Sequence, residues 1–150
     1  MKILIVEDDH LQAEWIHMSL AQAFPKAEFN CVRTEAEFRS RFGEIADNRP
    51  QVVVMDVMLR WEDPSPEITP RPDYVEAEGF YRAGLRCERM LAQDERTSHV
   101  PVILYTVLER GDLNHELRNL PKHVEYLAKE SDLSPLIQKI RGIRRQPPSS

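Results

Sequence analysis

The fold of this chain is constrained most by a fivefold alternation of short apolar runs with segments of helical periodicity. The runs occupy residues 2–6, 27–32, 51–56, 100–106 and 124–129; the second is weaker, and the others contain Val, Ile or Leu. Strands of this kind, separated by amphipathic helices, predict a parallel sheet that is covered on both faces. The alternation therefore predicts an α/β fold, a doubly wound (βα)5 arrangement around a five-stranded parallel sheet.

The first two helical segments carry their own start signals. Asp9 with Gln12 has the spacing of a capping box and places a helix over 11–24. Thr34 with Glu37 has the same spacing and begins a second helix of about ten residues. The apolar residues of the first helix form two neighbouring stripes, Leu11, Trp15 and Met18 on one and Ile16, Leu20 and Ala23 on the other. Further helices are predicted over 79–93, around 110–119 and from Ser134 onward.

The composition is that of one soluble domain. The 150 residues carry a net charge of −5, so no overall field draws the chain to nucleic acid or to an anionic membrane. The apolar run at the N-terminus is too short for a signal peptide. No run in the chain approaches the ~20 apolar residues of a membrane-spanning helix. Cys31 and Cys87 match no metal or redox spacing, and we interpret them as buried free thiols of a cytoplasmic protein.

Functional side chains are expected where the strands end, because doubly wound sheets bind ligands beyond the carboxyl ends of their strands. The polar residues at these ends are Glu7, Asp8, Asp56, Thr106 and Lys129. Asp56 interrupts the apolar run "QVVVMDVML", and burying a carboxylate without a partner is costly. Its position therefore requires a compensating cation.

Charge balance predicts what that compensation is. Glu7, Asp8 and Asp56 bring three negative charges together, and these repel one another unless cations neutralise them. A divalent metal ion and Lys129 together supply three positive charges, and oxygen ligands that leave waters in the shell suit Mg²⁺. The metal and Lys129 can then screen an incoming phosphoryl group for which Asp56 is the nucleophile.

Four segments, "ILIVEDD", "VVVMDVML", "PVILYT" and "YLAKE", follow one another along the chain. In this order they resemble the motifs of receiver domains of two-component response regulators, and the resemblance covers residues 1–145. It implies the flavodoxin-like receiver fold. It also implies that Asp56 is the phosphoacceptor, which takes a phosphoryl group from a sensor histidine kinase or a phosphotransfer protein.

The resemblance assigns a Mg²⁺ site to the same strand ends. Its implied ligands are Glu7, Asp8, Asp56 and the backbone carbonyl of Met58. Asp8 is expected to bind the metal directly and Glu7 through water. Asp9 is then left as the helix cap, although a shift of the acid pair by one residue stays open.

The remaining roles fall to three residues. The resemblance implies that Lys129 pairs with the phosphoryl group, that Thr106 is the hydroxyl that moves in to bond it, and that Tyr126 is the aromatic switch. The implied protein is not an enzyme, although it assists its own phosphorylation and dephosphorylation. It signals through the face formed by 107–145 to an effector protein or to an output domain outside this chain. A homodimer is compatible with this role, whereas direct contact with nucleic acid is not expected.

The chain departs from the family pattern at several places, of which two change the local structure that is expected. Glu130 follows Lys129 where the family has a cis proline, and we expect a trans bond because a non-proline cis bond costs ~2.5–4 kcal/mol. The Pro- and acid-rich segment 60–78 forms an inserted loop after the third strand, longer than the ~2–6 residues usual in such units. It is either a mobile surface insertion or a lid or partner-docking element. Residues 146–150 are interpreted as a tail or as the start of a linker.

Three other functions stay open. A phosphorylation-independent pseudo-receiver would keep the fold as a protein-binding module. A Mg²⁺-dependent phosphatase with an aspartyl nucleophile would need a second acid two residues after Asp56, where the chain has Met58. A flavodoxin-type cofactor binder would need a glycine- and hydroxyl-rich loop after the first strand, where Glu7, Asp8 and Asp9 would repel a phosphate.

Overall fold

The computed structural model describes residues 1–64 and 69–145, and it confirms the predicted parallel sheet. The five strands are β1 (Lys2–Val6), β2 (Glu28–Val32), β3 (Val52–Met55), β4 (Val102–Thr106) and β5 (Val124–Ala128). All neighbouring strands pair in parallel, in the order β2-β1-β3-β4-β5. This is the doubly wound order of flavodoxin-like folds, in which ligands bind at the carboxyl ends of β1 and β3. The predicted tail, 146–150, and residues 65–68 of the inserted loop lie outside the described residues.

Helices occupy the connections between the strands. They are α1 (His10–Ala23), α2 (Glu35–Ser40), α3 (Phe42–Asp47), α4 (Asp73–Glu78), α5 (Ala83–Gln93), α6 (Asn114–Arg118) and α7 (Ser134–Arg145), with 3₁₀ helices at Phe80–Arg82 and Arg110–Leu113. The predicted caps are confirmed, since Asp9 Oδ1 accepts from the Gln12 N–H at 3.0 Å and Thr34 Oγ1 accepts from the Glu37 N–H at 3.1 Å. The helix predicted after Thr34 is divided into α2 and α3. Within the described part of the chain, no helix is long and apolar enough to cross a membrane.

Apolar side chains from the two faces of the sheet form two core clusters. The pleat of β3 sends Val53 and Met55 into one cluster and Val52 and Val54 into the other. The first cluster includes side chains from α2, α3 and α5, and the second includes side chains from α1 and α7. Both faces of the sheet are therefore covered, as its continuous apolar strands predicted.

Only one of the two apolar stripes of α1 contacts the sheet. Ile16 and Leu20 are buried, whereas Leu11, Trp15 and Met18 are 74%, 51% and 55% exposed. A helix places one face against a sheet, so its second apolar stripe stays on the surface. Large exposed apolar side chains grouped in this way are typical of interaction surfaces.

The two cysteines differ in exposure. Cys87 in α5 is buried, as predicted, but the prediction that Cys31 is buried is wrong. Cys31 lies in β2, which is an edge strand in which Val32 is the only buried residue. The apolar run of this strand is the weakest of the five, because an edge strand needs less apolar cover than a central one.

The inserted segment after β3 is packed against the body of the domain. The Glu35 N–H of α2 donates to the Arg60 carbonyl at 3.0 Å. The Trp61 indole N–H donates to the Thr69 carbonyl at 3.0 Å, which closes the loop on itself. The segment ends with α4, and Gly79, the next residue, has a φ of +79° that turns the chain toward α5. The described residues of the inserted segment thus lie near the carboxyl edge of the sheet and contact α2.

Candidate functional site

The strand ends bring the predicted site residues together at one edge of the sheet. These residues are Glu7 after β1, Asp56 after β3, Thr106 at the end of β4 and Lys129 after β5. Backbone hydrogen bonds set their relative heights, since Asp56 N–H donates to the Val6 carbonyl at 2.9 Å and Lys129 N–H donates to the Thr106 carbonyl at 2.8 Å. Above them lies an open cleft of about 550 Å³, whose lining includes Glu7, Asp8, Asp56, Met58 and Lys129.

Lys129 is the cation that compensates the buried Asp56. Its Nζ donates to Asp56 Oδ2 at 2.8 Å and also to Glu7 Oε1. The side chains of Glu7, Asp56 and Lys129 are only 2%, 7% and 9% exposed. Buried charges are tolerated only when they are closely paired and hydrogen-bonded. We call these three residues the charged triad. Within it, Lys129 is the compensating cation that the sequence predicted for Asp56.

Burial and neighbouring charge shift the pKa values within the charged triad. Burial, followed by the negative charge of Asp56, raises the pKa of Glu7 to about 8. Burial lowers the pKa of Lys129, but the charges of Asp56 and Glu7 outweigh it and raise that pKa above its ordinary value. Burial and the nearby charge of Asp56 therefore disfavour the ionised form of Glu7, whereas the two carboxylates favour the charged form of Lys129.

Arg60 is a further cation of the site, and the sequence analysis missed it. The Arg60 N–H donates to Asp8 Oδ2 at 3.1 Å, and Arg60 Nε lies 3.5 Å from the same oxygen. Asp8 is thus directed toward the loop after β3, whereas Asp9 caps α1 as predicted. Its position in the sequence could have indicated this role, because Arg60 lies four residues after Asp56, in the loop that follows the same strand.

The oxygen donors predicted to bind Mg²⁺ share the cleft, but they have protein partners. Asp8 contacts Arg60, and both Glu7 and Asp56 contact the ammonium group. Among the residues that the structure describes, no three Asp, Glu, His or Cys side chains are arranged to hold a metal ion. The carboxylates and the Met58 carbonyl have the donor chemistry that a hard cation prefers. Arg60 contacts the Oδ2 atom of Asp8, and this ligand set stays a prediction.

A chain of hydrogen bonds joins the predicted switch residues. The Leu108 N–H donates to Thr106 Oγ1 at 3.2 Å, and the Tyr126 hydroxyl donates to the Leu108 carbonyl at 2.6 Å. The guanidinium of Arg110 lies 5.0 Å from the centre of the Tyr126 ring, close enough for a cation–π contact. The hydroxyls of Thr106 and Tyr126 are therefore linked through the two peptide groups that flank Leu108.

Phe80 is the second site residue that the sequence analysis missed. It lines the cleft together with Val107, and its carbonyl accepts from the Leu59 N–H at 3.2 Å. No local signal marks it, because its place depends on how the inserted segment returns to the sheet. The bond between Lys129 and Glu130 is trans, as predicted, and the described residues contain no cis peptide bond.

Comparisons with known proteins identify the fold. No family model and no curated protein sequence matches the chain. A signal receiver domain of a DNA-binding response regulator from Colwellia psychrerythraea is 18% identical, with a TM-score of 0.70 over 97% of this chain and 99% of that chain. The phosphorylated cyanobacterial phytochrome response regulator RcpA is 23% identical, with a TM-score of 0.63 over 95% and 90%. The Mn²⁺-bound form of response regulator Rcp1 is 19% identical, with a TM-score of 0.62 over 95% and 91%.

These similarities confirm the resemblance to receiver domains at the level of the fold. The chain has the flavodoxin-like receiver fold over nearly its whole length. At identities below 25% the comparisons say nothing more about activity, which depends on the residues of this chain's own site.

Proposed function

We propose that this chain is a signalling receiver in which Asp56 accepts a phosphoryl group. The observation that carries the proposal is the 2.8 Å contact between Asp56 and Lys129 at the floor of an open cleft. A carboxylate held only to stabilise the fold would not need access from solvent. Asp56 combines that access with an adjacent ammonium group, which can stabilise the charge of a transferred phosphoryl group.

The proposed reaction is a displacement at phosphorus. An Asp56 oxygen forms a bond to phosphorus while the bond between phosphorus and the nitrogen of a phosphohistidine breaks. The electron pair of the broken bond stays on the imidazole nitrogen. Lys129 bonds the transferred oxygens and offsets their charge. A Mg²⁺ ion held by Asp8, Asp56 and the Met58 carbonyl, with Glu7 acting through water, would supply further charge neutralisation when bound.

The proposed partners follow from this chemistry. A sensor histidine kinase or a phosphotransfer protein donates the phosphoryl group, and an effector protein or a further domain reads the result on the 107–145 face. The similar solved structures support this class of partner, because they are described as response regulators and signal receiver domains. The cytoplasm is the compartment that such a pathway implies.

Phosphorylation is proposed to reach the 107–145 face through Thr106. When the Thr106 hydroxyl turns toward a phosphoryl group on Asp56, it no longer accepts from the Leu108 N–H in the same geometry. Leu108 then shifts, and its carbonyl is the group that the Tyr126 hydroxyl contacts. A local change of charge would thus be converted into a movement of the loop after β4.

Tyr126→Phe is expected to weaken this coupling without preventing phosphorylation. The substitution deletes the 2.6 Å hydrogen bond to Leu108 and keeps the aromatic ring under Arg110. We expect the rate of phosphorylation by acetyl phosphate to change by less than about twofold, because Tyr126 does not line the cleft. Amide hydrogen exchange over 107–113, with and without beryllofluoride, should show a smaller response than in the wild type. Tyr81→Phe is the control, and equal responses in all three proteins would contradict the coupling.

The experiment that tests the proposed function compares Asp56→Asn with the wild type in Mg²⁺ and acetyl phosphate. We expect the wild type to gain the mass of one phosphoryl group and Asp56→Asn to gain none. Asp73→Asn is the matched control, because Asp73 is an exposed carboxylate on α4. Phosphorylation of the Asp56→Asn variant would contradict the assignment of the acceptor.

A pseudo-receiver is the second candidate function, and one observation favours it. Lys129 contacts Glu7 and Asp56, and Arg60 contacts Asp8, so each acid of the site already has a cationic partner without Mg²⁺. An unchanged wild-type mass in the same experiment, with no response to beryllofluoride, would support this candidate and contradict the phosphoacceptor.

A further inference from the structure

The cleft above Asp56 has a charged floor and an apolar rim. The floor is the charged triad, whose side chains are almost fully buried. The apolar residues that line the cleft are Met58, Phe80 and Val107. Phe80 and Val107 are 52% and 63% exposed, so they stand at the opening and not at the base.

Phe80 lies two residues after the inserted segment, and contacts with Leu59 and Tyr81 hold it near this rim. Gly79, the residue directly after that segment, accepts from Arg86 Nη1 through its carbonyl at 2.9 Å. The carbonyl of Phe80 accepts from the Leu59 N–H, three residues beyond Asp56, at 3.2 Å. Its ring stacks on Tyr81 with the centroids 4.2 Å apart. The backbone of Phe80 is therefore anchored to the loop after β3, and its ring packs against Tyr81.

We propose that Phe80 restricts the access of water to Asp56 and thereby lengthens the lifetime of its phosphorylated form. This inference rests on the proposed function. In hydrolysis, a water oxygen bonds to phosphorus as the bond from phosphorus to the Asp56 oxygen breaks. The electron pair stays on the Asp56 carboxylate, and the released proton goes to solvent. An aromatic ring at the rim leaves less room for water to approach in line with the breaking bond.

The first test compares Phe80→Ala with Tyr74→Ala. Tyr74 is a matched control, because it is a 53% exposed aromatic residue of the same connection between β3 and α5 and does not line the cleft. Each protein is phosphorylated with acetyl phosphate and Mg²⁺, the donor is removed, and the loss of the phosphoryl group is followed by intact mass. We expect Phe80→Ala to lose it about three- to tenfold faster than the wild type. Phe80→Leu should be close to the wild type, since it keeps an apolar side chain at the rim.

Tyr74→Ala reports any general loosening of the inserted segment, because the Tyr74 ring lies 5.4 Å from the guanidinium of Arg39 on α2. We expect its rate of hydrolysis to equal that of the wild type. Equal rates for Phe80→Ala and Tyr74→Ala would overturn the proposal, whether both are fast or both are slow.

A second readout does not depend on phosphorylation. A short pulse of acetic anhydride, followed by peptide mass spectrometry, measures how easily small molecules reach Lys129. The exposed Lys26 and Lys122 serve as internal references. We expect Phe80→Ala alone to increase acetylation of Lys129 by severalfold, and an unchanged ratio would overturn the proposal. If the wild type accepts no phosphoryl group, the proposed function fails, and this readout still decides whether Phe80 covers the cleft.

Discussion

Replacing Gly84 with alanine is expected to lower the free energy of unfolding by about 2–3 kcal/mol and to slow phosphorylation of Asp56. Gly84 lies in the first turn of α5, and its N–H donates to the Val57 carbonyl at 2.8 Å. A Cβ at this position would lie 2.1 Å from the Asp56 carbonyl oxygen and 2.7 Å from Val57 Cα. These are backbone atoms, which cannot rotate away as the end of a flexible side chain can. The helix must therefore move away from the strand end that carries the phosphoacceptor.

Gly142→Ala is the matched control for this substitution. Gly142 also lies in a helix, α7, but a Cβ there meets nothing within 4 Å. We expect this variant to be more stable than the wild type by about 0.5–1 kcal/mol, because alanine favours the helix over glycine. Urea unfolding followed by circular dichroism measures both changes. Alanine gives the same gain in helix propensity at Gly84, so the two variants differ only in the contact with Asp56. Equal free energies of unfolding for the two variants would therefore show that α5 does not pack against Asp56.

The part of the site that the sequence predicted depends on the parallel sheet alone. The carboxyl ends of parallel strands meet at one edge, so residues that end the strands are brought together without further knowledge of packing. Glu7, Asp56, Thr106 and Lys129 were all found in this way. The caps at Asp9 and Thr34 were also predictable, because each depends on a contact with a residue three positions away. The metal ligands and the switch were assigned by resemblance, and they stay predictions.

The features that the sequence did not predict are contacts between distant segments. The pairing of Arg60 with Asp8 spans 52 residues, and the pairing of Arg86 with Glu35 spans 51. Nothing local distinguishes an arginine that will be buried from one that will be solvated. The exposure of the Leu11 stripe on α1 was unpredictable for a similar reason. Both stripes have helical spacing, and the approach of the helix to the sheet decides which one is buried.

Replacing Arg86 with methionine is expected to lower the free energy of unfolding by about 3 kcal/mol, the lower end of what is typical for a buried ion pair that loses one partner. Arg86 and Glu35 have side chains only 2% and 1% exposed. They form a bidentate pair, with Nη2 2.6 Å from one Glu35 oxygen and Nε 2.8 Å from the other. The substitution leaves Glu35 buried with only its second partner, Arg39, at 3.1 Å. That remaining contact is why we place the loss at the lower end.

The same substitution should also affect the proposed site. Arg86 Nη1 donates to the Gly79 carbonyl at 2.9 Å and to Glu78 Oε1 at 3.3 Å, so it anchors the end of the inserted segment. Without these bonds, Phe80 loses part of its support. We therefore expect Arg86→Met to accelerate loss of the phosphoryl group from Asp56 as well as to destabilise the fold. Urea unfolding and the hydrolysis measurement used for Phe80 would report the two effects separately.

Arg96→Met is the control that separates the effect of burial on the strength of an ion pair from the effect of its short distance. Arg96 lies 2.6 Å from Asp47 and 2.8 Å from Asp94, distances as short as those of Arg86, but its side chain is 47% exposed. Exposed pairs typically contribute little to stability, because water solvates the charges that are left behind. An equal loss of stability for Arg96→Met and Arg86→Met would contradict the argument that burial makes the pair of Arg86 with Glu35 strong.

A double variant tests the same pair. In Glu35→Leu with Arg86→Met, neither charge of the pair stays buried, so the loss of stability should be smaller than the sum of the single losses. Additive losses would mean that Arg86 stabilises the domain mainly through Gly79 and Glu78.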